Sequence, residues 1–337
     1  MKAIVCERPG KLIMKEVDSP RPKPGEALVR IRRVGICGTD LHAFKGEQPY
    51  FTYPKILGHE LSGEVVEANK NSYGLNSGDR VVIIPYVACG KCIACRQGKT
   101  NCCTRLNLFG VQWDGGMQEY LSVPADHLIK TEGLDFDQMA MVECLGIGAH
   151  AVRRSQVVPG ETALVIGAGP IGMSVMQLAR EAGARVIAMD VLKDRLDFCR
   201  SRFHVDEVVD GREDPLKAIE SLTAGEYPIV VFDATGNAKS MMNAFNLLAH
   251  GGRLIFVSLV KENITFYDPD FHRRETTLLS SRNATREDME HVIRSIEAGK
   301  VDASSFITHR VPFDRVINVF ESWLKPETGV IKAVVEL

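Results

Sequence analysis

The chain has 337 residues, 45% hydrophobic and 25% charged, the proportions of an ordinary globular protein too long for one comfortable core. A formal net charge of −2 excludes a nucleic-acid binder that works by neutralising phosphates, and no apolar run approaches the roughly 20 residues needed to cross a bilayer. The nine cysteines are an odd number and MKAIVCERPGKLIMKE lacks the apolar core of a signal peptide, so a reducing cytoplasm is expected.

In chain order, the first clear element is ALVRIRRV, where Ala27, Val29 and Ile31 face one way and Leu28, Arg30 and Arg32 the other. That alternation predicts a half-buried strand, which delivers Cys37 at its end. Cys37, His59 and Glu60 are a soft, a borderline and a hard ligand. A catalytic zinc takes three protein ligands and leaves one position open. Asp40 is expected to hydrogen-bond the far nitrogen of His59 and fix its tautomer. Thr39 and His42 stand two and five residues past Cys37, a hydroxyl and an imidazole that can pass a proton from an alcohol to water. Tyr50 and Phe51 are candidate pocket residues.

The stretch CGKCIACRQGKTNCC holds five of the nine cysteines. Cys89, Cys92 and Cys95 are two residues apart, and Cys103 or Cys102 supplies a fourth thiolate. Four thiolates close a tetrahedral structural zinc site. An iron–sulfur cluster uses the same ligands, but one class places proline after the last cysteine, and here Thr104 follows. Gln112 and Trp113, before Gly115–Gly116, are further pocket candidates. In DQMAMVECLGIGAHA, Glu143 sits among apolar neighbours, where an unpaired carboxylate is costly. It reads as a fourth zinc ligand or a water anchor, with a buried salt bridge as the alternative.

The second half opens with a short strand, Ala163–Ile166, then Gly167, Gly169 and Gly172 in G-x-G-x-x-G, a helix from Ile171 to Glu181, and a strand from Val186 to Met189 closing on Asp190. Strand, glycines, helix and distal acid together are the context a dinucleotide site requires. The pyrophosphate is expected at the helix N-terminus, around Pro170 and Ile171, and Asp190 on the adenosine ribose. A fixed negative charge followed by Val191 favours NAD over NADP, with Lys193 and Arg195 basic and close by. Strand-like runs at 229–237, 251–259 and 276–285, with a helix from Lys239 to Ala249, predict a doubly wound parallel sheet. Thr235 and Ser258 lie where such strands end and are expected at the cofactor. Arg282 with Asn283 is placed to grip a substrate carboxylate or the nicotinamide ribose. The run His272, Arg273, Arg274 reads as a solvated face or subunit contact, and 204–221 as charged surface.

These motifs name a family. On ICGTDLH, GHE, GDRV, CGKC-x2-C-x7-C, GAGPIG and Asp190, the chain resembles the zinc-containing medium-chain dehydrogenases over nearly its whole length. The resemblance implies an α/β protein: a GroES-like β-rich catalytic domain from 1–147 and 286–337 around a Rossmann domain at 148–285. It implies two zinc ions and one NAD per chain, with catalytic zinc on Cys37, His59 and a glutamate, and structural zinc on Cys89, Cys92, Cys95 and Cys103. Glutamate at 143 is typical of the polyol and threonine dehydrogenases. The segments IPYVAC, NCC, DPDFHRRET and SSRNAT resemble bacterial sugar-acid dehydrogenases that act on L-galactonate or L-gulonate. The implied activity is hydride transfer from a secondary alcohol of a sugar acid or polyol to NAD, by a cytoplasmic homodimer or homotetramer without nucleic-acid or membrane partners. An L-threonine 3-dehydrogenase or a diol or sorbitol-type enzyme is the alternative, and a non-catalytic nucleotide-binding scaffold a third.

Overall fold

The computed structural model describes every residue except Tyr50 and Lys70. Two compact units emerge: Met1–Glu143 with Thr285–Glu297 and Ala303–Leu337, and Cys144–Ala284 with Ala298–Asp302. The first division falls inside the helix Phe136–Ser155, a few residues before the expected boundary.

The first unit is built on the strand Glu26–Ile36, whose alternating burial puts Ala27, Val29 and Ile31 inside. Val29 and Ile31, fully buried, contribute about 1.5–3 kcal/mol each. The strand pairs antiparallel with Glu60–Ala68, Tyr120–Pro124 and Lys332–Glu336. The sheet therefore joins residues from both ends of the sequence. Where the central strand ends, Cys37 caps the short helix Gly38–Lys45. The neighbouring strand begins at Glu60, so Cys37 and the His59–Glu60 pair arrive at the same end of adjacent strands.

The second unit holds a six-stranded sheet, all parallel, in the order Glu207–Asp210, Arg185–Asp190, Thr162–Ile166, Val230–Asp233, Arg253–Phe256, Thr277–Ser280. Numbered along the chain this is 3-2-1-4-5-6, the doubly wound arrangement. Glu207–Asp210 lies within the segment expected to be charged surface. As an edge strand it buries Val209 on one side and leaves charged flanks to water, so its apolar signal is short. The expected helix 239–249 is shorter, Ala238–Asn243 followed by a 3-10 turn, Ala244–Leu247. No helix among the described residues is long and apolar enough to cross a membrane.

Candidate metal centres and nucleotide site

In the first unit, ligand atoms of Cys37, His59 and Glu60 all lie within 4.8 Å of one another. His59 and Glu60 are buried, and Cys37 is half-buried. Asp40 is buried beside them, but it does not hydrogen-bond His59 as expected. Its Oδ2 accepts the Cys37 backbone N–H at 2.9 Å and its Oδ1 the Gly58 N–H at 3.0 Å. His59 Nδ1 faces Oδ1 from 3.7 Å and has no hydrogen-bond partner among the described residues. The carboxylate thus clamps together the two loops that carry the ligands, because a short acidic side chain on the first helical turn satisfies backbone donors more readily than a ring held at a distance.

Glu60 is met by a residue that sequence reading missed. Lys332 Nζ lies 2.6 Å from Oε1 and 2.8 Å from Oε2, and both side chains are essentially inaccessible to water. Gly35 completes the cradle: a Cβ there would fall 2.2 Å from Glu60 Oε2. The lysine stands in a strand whose residues from 332 to 335 are all buried, and a charge in such a run is the signal that could have found it.

Glu143 accepts a hydrogen bond from the Tyr86 hydroxyl, and both are buried. Burial raises its carboxyl above the usual range, and the neighbouring Glu60 charge adds to this, while His59, Tyr86 and Lys332 pull the other way. Burial likewise raises Asp40, whose other neighbours are His59 and Glu60. Burial depresses His59, but Asp40, Cys37 and Glu143 outweigh it and hold the ring well above the ordinary histidine value. Asp40 and Glu143 stand near enough to the cluster of Cys37, His59 and Glu60 to act on it electrostatically, and Lys332 is the fixed cation on Glu60. Sulfur, imidazole and carboxylate atoms so close together are donors zinc accepts.

Thr39 is half-buried on the first turn of the helix Gly38–Lys45, and His42 is exposed one turn on. Glu47, also unforeseen, lies 2.9 Å from His42 Nδ1 and 2.7 Å from Lys45 Nζ. The chain reverses at Gly46, in the left-handed region at φ 78°, and this brings Glu47 back onto the helix. Trp113 packs edge-on against Phe109 and remains partly exposed. Gln112 turns its Oε1 to the Leu108 N–H at 3.0 Å, capping its own turn. Tyr50 lies outside the described residues.

The second cluster is Cys89, Cys92, Cys95 and Cys103. Cys102 is exposed and outside it, so the alternatives left by counting resolve to Cys103. Backbone donors point at the sulfurs: the N–H of Cys89 and of Arg105 lie 3.2 and 3.3 Å from Cys103 Sγ. Similar donors from Cys95 and Thr104 bring the Cys92 thiol down to about 5, and those of Lys91 and Cys92 bring Cys89 to about 7. Cys95 is pushed up to about 12 by desolvation and by the neighbouring thiols Cys92 and Cys103, which outweigh a backbone donor from Gly90. A loop arranged to hold thiolates is arranged for a metal. Cys103→Ser is expected to lower zinc from two ions per chain to one and to lower the melting temperature, while Cys102→Ser leaves both unchanged. Metal analysis and a thermal melt check this.

The second unit carries the glycine motif between the strand Thr162–Ile166 and the helix Pro170–Glu181. Gly167 turns at φ 98°. A Cβ on Gly172 would fall 1.7 Å from the Gly167 carbonyl oxygen, so helix and strand approach only through glycine. Gly169 is the N-cap, Pro170 and Ile171 open the first turn, and the N–H groups that follow point outward, where an anion binds. Asp190 ends its strand, accepting the Ala168 N–H at 2.5 Å and the Leu192 N–H at 2.8 Å. Arg195 is half-buried close by, its guanidinium lowered by burial against the pull of Asp190. Thr235 is tied to Asp233 through both N–H and hydroxyl. Ser258 stands in the bend after Arg253–Phe256. Arg282 is exposed just past Thr277–Ser280, and Asn283 is left-handed at φ 54°.

Residues 23–133 match the family described as alcohol dehydrogenase GroES-like domain, and residues 170–298 match zinc-binding dehydrogenase. An L-galactonate-5-dehydrogenase of Escherichia coli K12 is 42% identical over 335 residues, covering 99% of this chain and 98% of that protein. The chain belongs to the zinc-type medium-chain alcohol dehydrogenase family. An L-threonine 3-dehydrogenase of Bacillus velezensis is 31% identical and covers 98% of each chain. A solved alcohol dehydrogenase from E. coli CFT073, complexed with NADH, superposes with a TM-score of 0.93 at 29% identity, covering 100% of this chain and 99% of that one. This zinc-type dehydrogenase is thus an oxidoreductase acting on a CH–OH group, from a family that uses zinc and a nicotinamide dinucleotide.

Proposed function

We propose that the protein oxidises a secondary alcohol of a sugar acid, with L-galactonate or L-gulonate at C5 the leading substrates, and passes the hydride to NAD. The observation that carries the substrate class is the 42% identity, along almost the entire chain, to an L-galactonate-5-dehydrogenase. Glutamate rather than a second cysteine at position 143 supports the polyol and threonine branch over the ethanol type. The threonine dehydrogenase reading keeps its support from the relatives at 30–31% identity.

In this reading Cys37, His59 and Glu60 hold the catalytic zinc, Glu143 stands beside it, and Cys89, Cys92, Cys95 and Cys103 hold the structural one. When bound, zinc supplies Lewis acidity toward the alcohol oxygen and NAD supplies the hydride acceptor. The chain's own part is to place and to move protons. Asp40 holds the ligand loops in register. The Thr39 hydroxyl and the His42 imidazole carry the alcohol proton outward. Glu47 engages His42 Nδ1, so Nε2 is the position that exchanges with water. Asp190 receives the adenosine ribose, and the glycine turn receives the pyrophosphate. Arg282 with Asn283 is the group proposed for the substrate carboxylate, with Gln112, Trp113 and Tyr50 as pocket residues. A homodimer or homotetramer in the cytoplasm is the proposed working form.

A kinetic panel of L-galactonate, L-gulonate, sorbitol, 2,3-butanediol and L-threonine with NAD tests the assignment. The sugar acids are expected to give the highest kcat/KM by about tenfold or more, which is about 1.4 kcal/mol of transition-state discrimination. A tenfold preference for L-threonine overturns it.

A further inference from the structure

We propose that Tyr86 is the positioning residue of the catalytic centre, holding the Glu143 carboxylate in the orientation that serves zinc. The proposal rests on the metal reading above, not on the choice of substrate.

Glu143 differs from the other two buried carboxylates beside it in taking its hydrogen bond from a side-chain hydroxyl rather than from a cation or backbone N–H groups. Lys332 takes both oxygens of Glu60, and two backbone N–H groups take those of Asp40. Glu143 instead accepts the Tyr86 hydroxyl at Oε1. A phenol donates one hydrogen bond along a direction fixed by a rigid ring. With Oε1 so engaged, the carboxylate presents Oε2 to its neighbours.

Tyr86 is itself firmly set. It begins a two-residue strand, Tyr86–Val87, that pairs with Asn107–Leu108. His127 Nε2 lies 3.2 Å from the Tyr86 carbonyl oxygen, and because a carbonyl only accepts, the ring nitrogen donates. The Ile84 N–H donates to the His127 carbonyl at 2.8 Å, so one histidine holds the segment on both sides of Pro85. The paired strands are also the two ends of the thiolate loop: Tyr86–Val87 leads into Cys89, and Asn107–Leu108 follows Cys103. The structural metal site thereby anchors the ribbon on which Tyr86 stands. A loop that performs no chemistry gains a mechanical route to the centre that does.

The test is Tyr86→Phe, which keeps the ring and removes the donor. The purified zinc-loaded protein is expected to retain two zinc ions, to lose about tenfold or more in kcat with KM within about twofold, and to release its catalytic zinc to a chelator about tenfold faster. In a Glu143→Gln background the same change is expected to add almost nothing, since the two residues act as one unit. Wild-type kcat and zinc release in Tyr86→Phe overturn the proposal. So does a lowered melting temperature whose kinetic effect multiplies with that of Glu143→Gln, which marks a merely structural ring. Zinc release needs no substrate: faster release together with turnover of some other alcohol supports Tyr86 and sinks only the sugar-acid assignment. A protein that carries one zinc with or without Cys37 overturns the metal reading and this proposal together.

Discussion

Cys37→Ser is expected to abolish turnover and to lower the zinc content by about one ion per chain. Serine keeps the size of the side chain and the backbone N–H that Asp40 clamps, so the loop stays in place. What disappears is the soft anionic donor. A serine hydroxyl does not ionise near neutral pH, and zinc held by His59 and Glu60 alone lacks the three protein ligands of a catalytic site. Glu60 is moreover already shared with Lys332 on both oxygens. The second ion remains, because Cys89, Cys92, Cys95 and Cys103 form a separate cluster. Metal analysis beside an NADH-formation assay checks both halves. Unchanged turnover in this variant removes the centre from the mechanism.

The largest effect on stability is expected from Lys332→Met. The substitution fills the space with a similar stem but strips the cation from a Glu60 carboxylate that water cannot reach. Breaking a buried pair by deleting one partner costs about 3–5 kcal/mol, because the remaining charge has no compensation. Folding of the first unit is expected to weaken by about that amount, seen as an earlier thermal transition by circular dichroism. Adding Glu60→Gln to Lys332→Met is expected to recover most of the loss in stability and none of the activity. A single variant as stable as the native protein shows that the pair contributes nothing.

Much of this architecture is legible in the residues alone, where the signals are local. The alternation of ALVRIRRV, the spacing of Cys89, Cys92 and Cys95, and the G-x-G-x-x-G between strand and helix each need only a few neighbours to be read. Cys37 and the His59–Glu60 pair are farther apart, but they sit at ends of strands that pair directly, so their meeting follows from one antiparallel register. What escaped reading is what only distant topology creates. Lys332 reaches Glu60 across 272 positions, and Tyr86 reaches Glu143 across 57. Nothing in IPYVAC distinguishes a phenol that grips a carboxylate from an ordinary core aromatic. Asp40 has the spacing of a partner for His59, yet the atoms it serves are backbone donors, which no side-chain pattern reveals. The strand Glu207–Asp210 stayed hidden because an edge position asks so little of its composition.

The lysine against Glu60 also bears on the order in which the protein is made. Synthesis delivers Cys89 through Cys103 within a span of fifteen residues, so the thiolate loop can capture its ion while most of the chain is still to come. The other pocket has its three ligands at that stage but lacks the counter-charge that lets Glu60 be buried, and the sheet has yet to receive the strand Lys332–Glu336 beside Glu26–Ile36. The thiolate loop thus needs only a local stretch of chain to form, whereas the surroundings of Cys37, His59 and Glu60 are complete only when the newest part of the polypeptide pairs with one of the oldest strands.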